Sequence, residues 1–228
     1  MTAPFRIAVA GLGTVGSGVV KALTARRKEL SARAGRDLQI CGVSARDKTK
    51  VRDFEITGWQ DDPLDLARGD ADLVIELIGG EEGIARELVE TALGRGKHVV
   101  TANKALLARH GLALATLAES KGVSLQFEAA VAGGIPIVKV LREDLIAHGV
   151  DSVKGILNGT CNYILTEMEN SGRSFVEVLR EAQTMGYAEA DPTLDIGGGD
   201  TAHKLALLAS LAFGTIPALD AVKVEGIQ

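Results

Sequence analysis

The stretch Phe5-Arg6-Ile7-Ala8-Val9-Ala10-Gly11-Leu12-Gly13-Thr14-Val15-Gly16 decides the fold. Phe5 to Ala10 is a short, mostly apolar run closed by glycine, the pattern of a buried strand. Three glycines spaced G-x-G-x-x-G follow, and the residues after them read as a helix from Val15 to about Arg33. In that order the first glycine makes the tight turn and the second lets the backbone approach a pyrophosphate. The third allows the helix to pack closely on the strand. The helix start then offers free N–H groups to phosphate. Gly11, Gly13, Thr14, Val15 and Gly16 are therefore candidate ligands of a dinucleotide. The competing account is a ligand-free strand–helix turn, and the position on the first strand of the chain favours the ligand.

The same pattern continues outward. Strands are expected at Leu38 to Val43, Leu73 to Ile78, Lys97 to Thr101 and Ser124 to Ala129, with helices at Glu82 to Leu93 and Ala105 to Lys121. Alternating strands and helices predict an α/β, Rossmann-type parallel sheet over residues 1–133, a NAD(P)-binding domain. Its ligand edge is the carboxyl ends of the strands, where Gly79-Gly80 and Thr101-Ala102-Asn103-Lys104 fall. Thr101 and Lys104 accordingly join the cofactor-binding set.

The loop after the second strand bears on which dinucleotide is held. An Asp or Glu there would bond the ribose hydroxyls and select NAD. Here Ser44, Ala45 and Arg46 follow Val43, with Lys48 and Lys50 just beyond. Arg46 and Lys48 are candidate grips for a 2′-phosphate, so NADP(H) is expected to be preferred. Asp47 keeps NAD(H) use open, and a solvated basic loop is the plainer alternative.

Beyond Gly133-Gly134-Ile135-Pro136 the character changes. Residues 134–228 read as a second, mixed α/β domain for substrate binding and dimerisation. Its expected elements are helices at Val138 to Ala147, Cys161 to Glu169, Ser174 to Met185 and Thr201 to Ala212, and a strand at Ser152 to Leu157.

The bulk numbers narrow the function classes. The 228 residues are 46% hydrophobic and 24% charged, enough for a sizeable core, but only 4% aromatic, so that core must be aliphatic. Mean hydropathy is +0.16. A net charge of −5 offers no basic footprint for nucleic acid. Two cysteines, Cys41 and Cys161, make neither a disulfide framework nor a metal cluster, which with the absence of a signal-like or membrane-spanning segment predicts a cytoplasmic protein.

Two lysines carry candidate chemistry. Lys104 lies at the ligand edge, and Lys204 lies one helical turn after Asp200, on the same face. Glu189, Asp191 and Asp195 crowd the start of that helix. Carboxylates hold an ammonium group and lysines meet a carboxylate or move a proton, so the set suits a small zwitterion; for each lysine alone a surface ion pair is the simpler reading. A lysine acting as base must be neutral, which requires burial or a neighbouring cation. Cys161, in Gly-Thr-Cys-Asn, raises the alternative of an aldehyde-forming dehydrogenase working through a thioester, although no histidine pattern stands near it.

Several stretches resemble homoserine dehydrogenase: Gly11 to Gly16, Glu76 to Gly80, Val100 to Lys104 and Glu128 to Pro136. The most specific are Gly155-Ile156-Leu157-Asn158-Gly159-Thr160-Cys161-Asn162-Tyr163-Ile164-Leu165 and Gly186-Tyr187-Ala188-Glu189-Ala190-Asp191-Pro192, leading to Asp195, Asp200 and Lys204. The resemblance implies reversible hydride transfer between L-homoserine and L-aspartate 4-semialdehyde with NAD(P), in the pathway to threonine, methionine and isoleucine. It implies that Lys204 exchanges a proton with the substrate oxygen and that Lys104 is a second catalytic or orienting group. Glu189 would bind substrate, with Asp195 and Asp200 supporting the site. Oxygens of Glu128, Val131, Gly133 and Ile135 would hold a structural monovalent cation, Na⁺ or K⁺; an interdomain hinge is the competing account of those glycines. Family members normally continue where this sequence reaches Gln228, so the second domain is expected to be truncated and the homodimer to depend on its completeness. A non-catalytic NADP-binding module or an inactive fragment is the alternative.

Overall fold

The structure is a computed structural model and describes residues 3–228. Strand β1 (Phe5–Ala10) forms where the glycine turn requires it, and Ala8, Val9 and Ala10 are buried. It pairs in parallel with β2 (Leu38–Ser44) on one side and β3 (Leu73–Glu76) on the other. Strands β4 (His98–Thr101) and β5 (Leu125–Gln126) complete a five-stranded parallel sheet of order β2-β1-β3-β4-β5. Between these strands run α1 (Thr14–Ala25), α2 (Arg27–Ala34), α3 (Leu64–Arg68), α4 (Ile84–Gly94) and α5 (Lys104–Ser120). Helices α1 and α2 pack with β1 and β2, while α4 packs against α3 and α5. Crossovers of this kind bury strands on both faces, hence the continuous apolar runs. The aliphatic core joins Ile7, Val9, Leu12, Val20, Val43 and Ile75.

Local departures from the expected pattern have identifiable causes. The single helix expected from Val15 to Arg33 is two, broken at Arg26 (φ −108°, ψ 17°). Helix α2 buries none of its residues, so no apolar stripe holds it in line with α1. Strand β3 stops at Glu76 because that side chain takes the N–H groups of Ile78 and Gly79 itself, at 2.8 and 3.0 Å. Strand β5 is two residues long, and Ala129–Ala132 winds into a helical turn (α6) where alanine's helix preference prevails. Along β2, Val43 pairs with Trp59 and exchanges backbone bonds with Gly58 and Gln60. The Trp59 ring in turn carries Lys48 and Arg52 at 5.6 and 5.7 Å.

A second unit runs from Val131 to Gln228. It contains α7 (Ile137–Lys139), a π-helical stretch at Val140–Asp144, α8 (Gly159–Ser171), α9 (Phe175–Thr184), α10 (Thr193–Ile196), α11 (Gly199–Phe213) and a 3₁₀ turn at Leu219–Ala221. The helix expected from Val138 to Ala147 thus ends early, in a wider turn closed by Leu145 N–H on the Val140 carbonyl. The strand expected at Ser152 to Leu157 does not form. A strand exists only beside a hydrogen-bonding neighbour, and none pairs with this segment among the described residues, where Ile156 is 76% exposed. Ile164, Val178, Ala182, Ala188 and Ile196 form the core of this unit, and Ile227 packs against it. No helix among the described residues is long and apolar enough to cross a membrane.

Candidate functional site

At the glycine turn two positions exclude any side chain and one leaves room beside it. Gly11 has φ +95°, and a Cβ there would stand 2.4 Å from the Leu77 carbonyl oxygen; one on Gly16 would stand 1.8 Å from the oxygen of Gly11. Around the Cβ direction of Gly13 nothing lies within 4 Å. Gly13 is also the N-cap of α1 and has no side chain to occupy the first-turn N–H groups. The space beside it, of about 350 Å³, is bordered by Thr14, Ser17, Lys50, Arg52 and Asp53. In this strand order the topological switch point lies between β1 and β3, directly at that turn. A closed turn under an open, anion-seeking groove fits a dinucleotide pyrophosphate.

The loop after β2 is differently arranged from its sequence reading. Ser44 is buried, its carbonyl accepting the Gly11 N–H at 2.8 Å. Arg46 is exposed and does not border the groove. Lys48 faces Asp61 at 3.5 Å and the Trp59 ring. The basic side chains at the groove are Lys50 and Arg52, and Arg52 ties the loop by donating to the carbonyls of Asp47 and Lys50. Asp47 accepts from the Thr49 hydroxyl and N–H, which hold its carboxyl below the usual range. The sequence reading gives the grip to Arg46 and Lys48, with Lys50 only a part of the basic loop and Arg52 not named. The place of Lys50 and Arg52 depends on how this loop folds back, not on distance from the strand.

At the ends of β3 and β4 a hydrogen-bonded network closes around Glu76, which is fully buried. Besides the two backbone bonds, its Oε2 accepts the Thr101 hydroxyl at 2.5 Å. The Thr101 oxygen accepts the Asn103 N–H at 2.9 Å, and the Asn103 amide donates to the Gly80 carbonyl at 2.6 Å. Asn103 also caps α5, accepting from the Leu106 N–H, so Lys104 is the first residue of that helix.

The second unit holds a cleft of about 580 Å³ between the start of α8 and the start of α11. Lys204 and Asp200 meet there at 2.8 Å, as their spacing requires. Lys204 Nζ also donates to the Leu157 carbonyl at 2.7 Å. Asn158 binds the acidic side of the cleft together: its amide donates to Asp195 at 2.7 Å and Asp200 at 2.9 Å. Its oxygen caps α8 by accepting the Cys161 N–H at 2.8 Å. Thr160, Tyr163 and Tyr187 form the rest of the wall. Glu189 is exposed and outside this lining. Asp191 serves its own turn, bonded to the Thr193 hydroxyl and N–H. Asn158, Thr160 and the two tyrosines went unassigned because their signal lay only in sequence stretches specific to the family.

Cys161 is not poised as a nucleophile. Its thiol donates to the Asp195 carbonyl at 3.2 Å, and burial, followed by the charges of Asp195 and Asp200, pushes it up. Reactive thiolates need the opposite surroundings. Near the unit boundary Val131 is buried, Gly133 has φ +60° and Ile135 is 67% exposed. No group of three or more His, Cys, Asp and Glu side chains is placed to hold a metal among the described residues. Any ion at this turn would therefore depend on carbonyl oxygens, which suit a hard cation.

An open glycine turn at the switch point of a parallel sheet defines a dinucleotide-binding α/β protein. Comparison with known proteins sharpens this. The family described as "Homoserine dehydrogenase, NAD binding domain" matches residues 11–128, and "Homoserine dehydrogenase" matches residues 136–228. The homoserine dehydrogenase of Neisseria gonorrhoeae is 49% identical over 227 residues, which are 99% of this chain and 52% of that protein. The crystal structure of a homoserine dehydrogenase from Thiobacillus denitrificans superposes with a TM-score of 0.92 at 44% identity, over 99% of this chain and 52% of that one. A hyperthermophilic archaeal homoserine dehydrogenase in complex with NADPH gives 0.82 at 25% identity, over 97% and 75%. The chain belongs to the homoserine dehydrogenase family. It spans about half the length of the curated relatives it matches.

Proposed function

We propose that this protein catalyses the reversible NAD(P)-dependent oxidation of L-homoserine to L-aspartate 4-semialdehyde. The observation that carries the reading is the ion pair of Lys204 with Asp200 in a cleft rich in carboxylates, in a chain of this family. On this reading residues 1–133 bind the dinucleotide and residues 134–228 the amino acid. The nicotinamide, when bound, accepts or supplies the hydride. Lys204 takes the hydroxyl proton as homoserine is oxidised and returns it to the aldehyde oxygen in the reverse direction. Neutral Lys204 has two N–H bonds, matching its two partners Asp200 and the Leu157 carbonyl, and a lone pair to take the substrate hydroxyl proton. Once it is protonated, its third N–H is the one returned to the aldehyde oxygen. Asp195 and Asp200 offer negative charge to the substrate ammonium inside the cleft, Glu189 adds to it from outside the lining, and Lys104 orients the substrate beside the cofactor.

Gly11, Gly13, Thr14, Val15 and Gly16 hold the pyrophosphate. NADP(H) is the preferred cofactor and NAD(H) the lesser one: the residue closing β2 is Ser44 rather than an acid, and the loop beyond it is basic, from Arg46 and Lys48 to Lys50 and Arg52. Carbonyl oxygens of Val131, Gly133 and Ile135, with Glu128, hold a structural Na⁺ or K⁺. A homodimer is the proposed assembly.

The test is the rise in reduced-nicotinamide absorbance with homoserine, run with NADP⁺ and with NAD⁺, on wild type and Lys204→Ala. Wild type should turn over, faster with NADP⁺, and the variant should lose about a hundredfold or more in kcat with little change in cofactor affinity. Near-native turnover of Lys204→Ala would sink the proton role. NADPH binding without any homoserine-dependent signal in wild type would sink the activity.

A further inference from the structure

Glu76 is a carboxylate with no exposed surface, and none of the steps above uses it. Its surroundings assign it a task. The hydrogen-bond partners of its side chain are donors: two backbone N–H groups at the exit of β3 and the Thr101 hydroxyl at the exit of β4. Through Thr101 it reaches the Asn103 N–H, and through Asn103 the Gly80 carbonyl, so the two strand exits are bound into one closed circuit. Gly79 and Gly80 have φ of +84° and +91°, unstrained for glycine, and as residues with the greatest backbone freedom they are the ones such fastening restricts most. In a sheet of this order the adenosine ribose lies toward the end of β2, so the nicotinamide half of a dinucleotide lies over the ends of β3 and β4.

We propose that Glu76 is a positioning residue for the nicotinamide half of the cofactor, fixing the Gly79-Gly80 turn and the Asn103-Lys104 helix start against one another. The assignment rests on the dinucleotide reading of the first unit. It predicts an effect confined to one end of the ligand, which general loss of stability would not produce. In Glu76→Gln an amide NH₂ must face either two backbone N–H donors or the Thr101 oxygen that already accepts from Asn103, so one link of the circuit reverses or breaks. Thr101→Val keeps the Glu76 side chain but removes both links that pass through the hydroxyl, to Glu76 and from the Asn103 N–H, and Thr101→Ser restores them.

The experiment is equilibrium binding of NADPH and of 2′-phosphoadenosine diphosphate ribose, which lacks only the nicotinamide, to the full chain and these three variants. Glu76→Gln and Thr101→Val should weaken NADPH about tenfold or more while leaving the fragment within about twofold, and Thr101→Ser should match wild type. Equal weakening of both ligands, or unchanged NADPH affinity in both Glu76→Gln and Thr101→Val, would overturn the assignment. Wild type that binds the fragment but gains nothing from the nicotinamide would overturn it as well. Wild type that binds neither ligand would overturn the dinucleotide reading and this assignment with it.

Discussion

Asn158 holds the proposed substrate cleft in shape through three bonds, two to carboxylates and one to a helix start. Asp195 and Asp200 would otherwise face each other across a partly buried space, and the amide hydrogens between them offset that repulsion. Asn158→Asp keeps an oxygen to cap α8 but sets a third acid between the other two. It should fold, yet lose about ten- to hundredfold in kcat/KM for homoserine. Asn158→Ala also loses the cap and should be less stable by about 1 kcal/mol, read from urea unfolding. Native kcat/KM in Asn158→Asp would show that the amide does not organise the carboxylates. Lys204 and Asp200 were legible in the sequence because their pairing is local, one helical turn apart. The bonds of Asn158 join residues 37 and 42 positions away, and no local rule foretells such a pair.

At the scale of elements, α8 and α9 are pinned by a polar cluster as well as by Ile164 and Val178. The Tyr163 hydroxyl donates to Glu181, which also pairs with Arg173, and Arg173 reaches Glu167 at 3.0 Å. The bond to Glu181 pushes Tyr163 from its usual 10.0 up to about 12, and Arg173, then Tyr163, hold Glu181 below its usual 4.5. A raised tyrosine stabilises the fold fully below its unfolded value and loses that contribution as pH climbs through about 12. A lowered glutamate does the reverse, its contribution fading as pH falls below about 4.5. Melting temperature should therefore drop between pH 10 and 12, and Tyr163→Phe should flatten that alkaline limb while only weakening the acid one, because Arg173 still holds Glu181 down. An identical alkaline slope in the variant would refute the assignment. The strands and long helices were readable because apolar period and glycine punctuation agree there. The lost strand at Ser152 to Leu157 and the shortened β5 depend instead on neighbours in space, and the early end of β3 depends on Glu76 competing for backbone N–H groups.

The whole molecule joins two units of unlike construction, a parallel sheet with helices and a set of helices, each with its own core. The chain has one tryptophan, Trp59, and it belongs to the first unit, so its emission follows the unfolding of that unit. NADPH at a hundred times its Kd should stabilise the transition seen by Trp59 by about 2.7 kcal/mol, whereas homoserine alone should leave it in place. Failure of NADPH to move it would count against the dinucleotide site. The place of that indole has an optical consequence too. It stacks under the loop whose Lys50 and Arg52 border the groove beside Gly13, and the emission of tryptophan overlaps the absorption of reduced nicotinamide. The chain thus carries a single, uncrowded donor for resonance energy transfer, by which occupancy of the groove can be followed with light, without a label and without turnover.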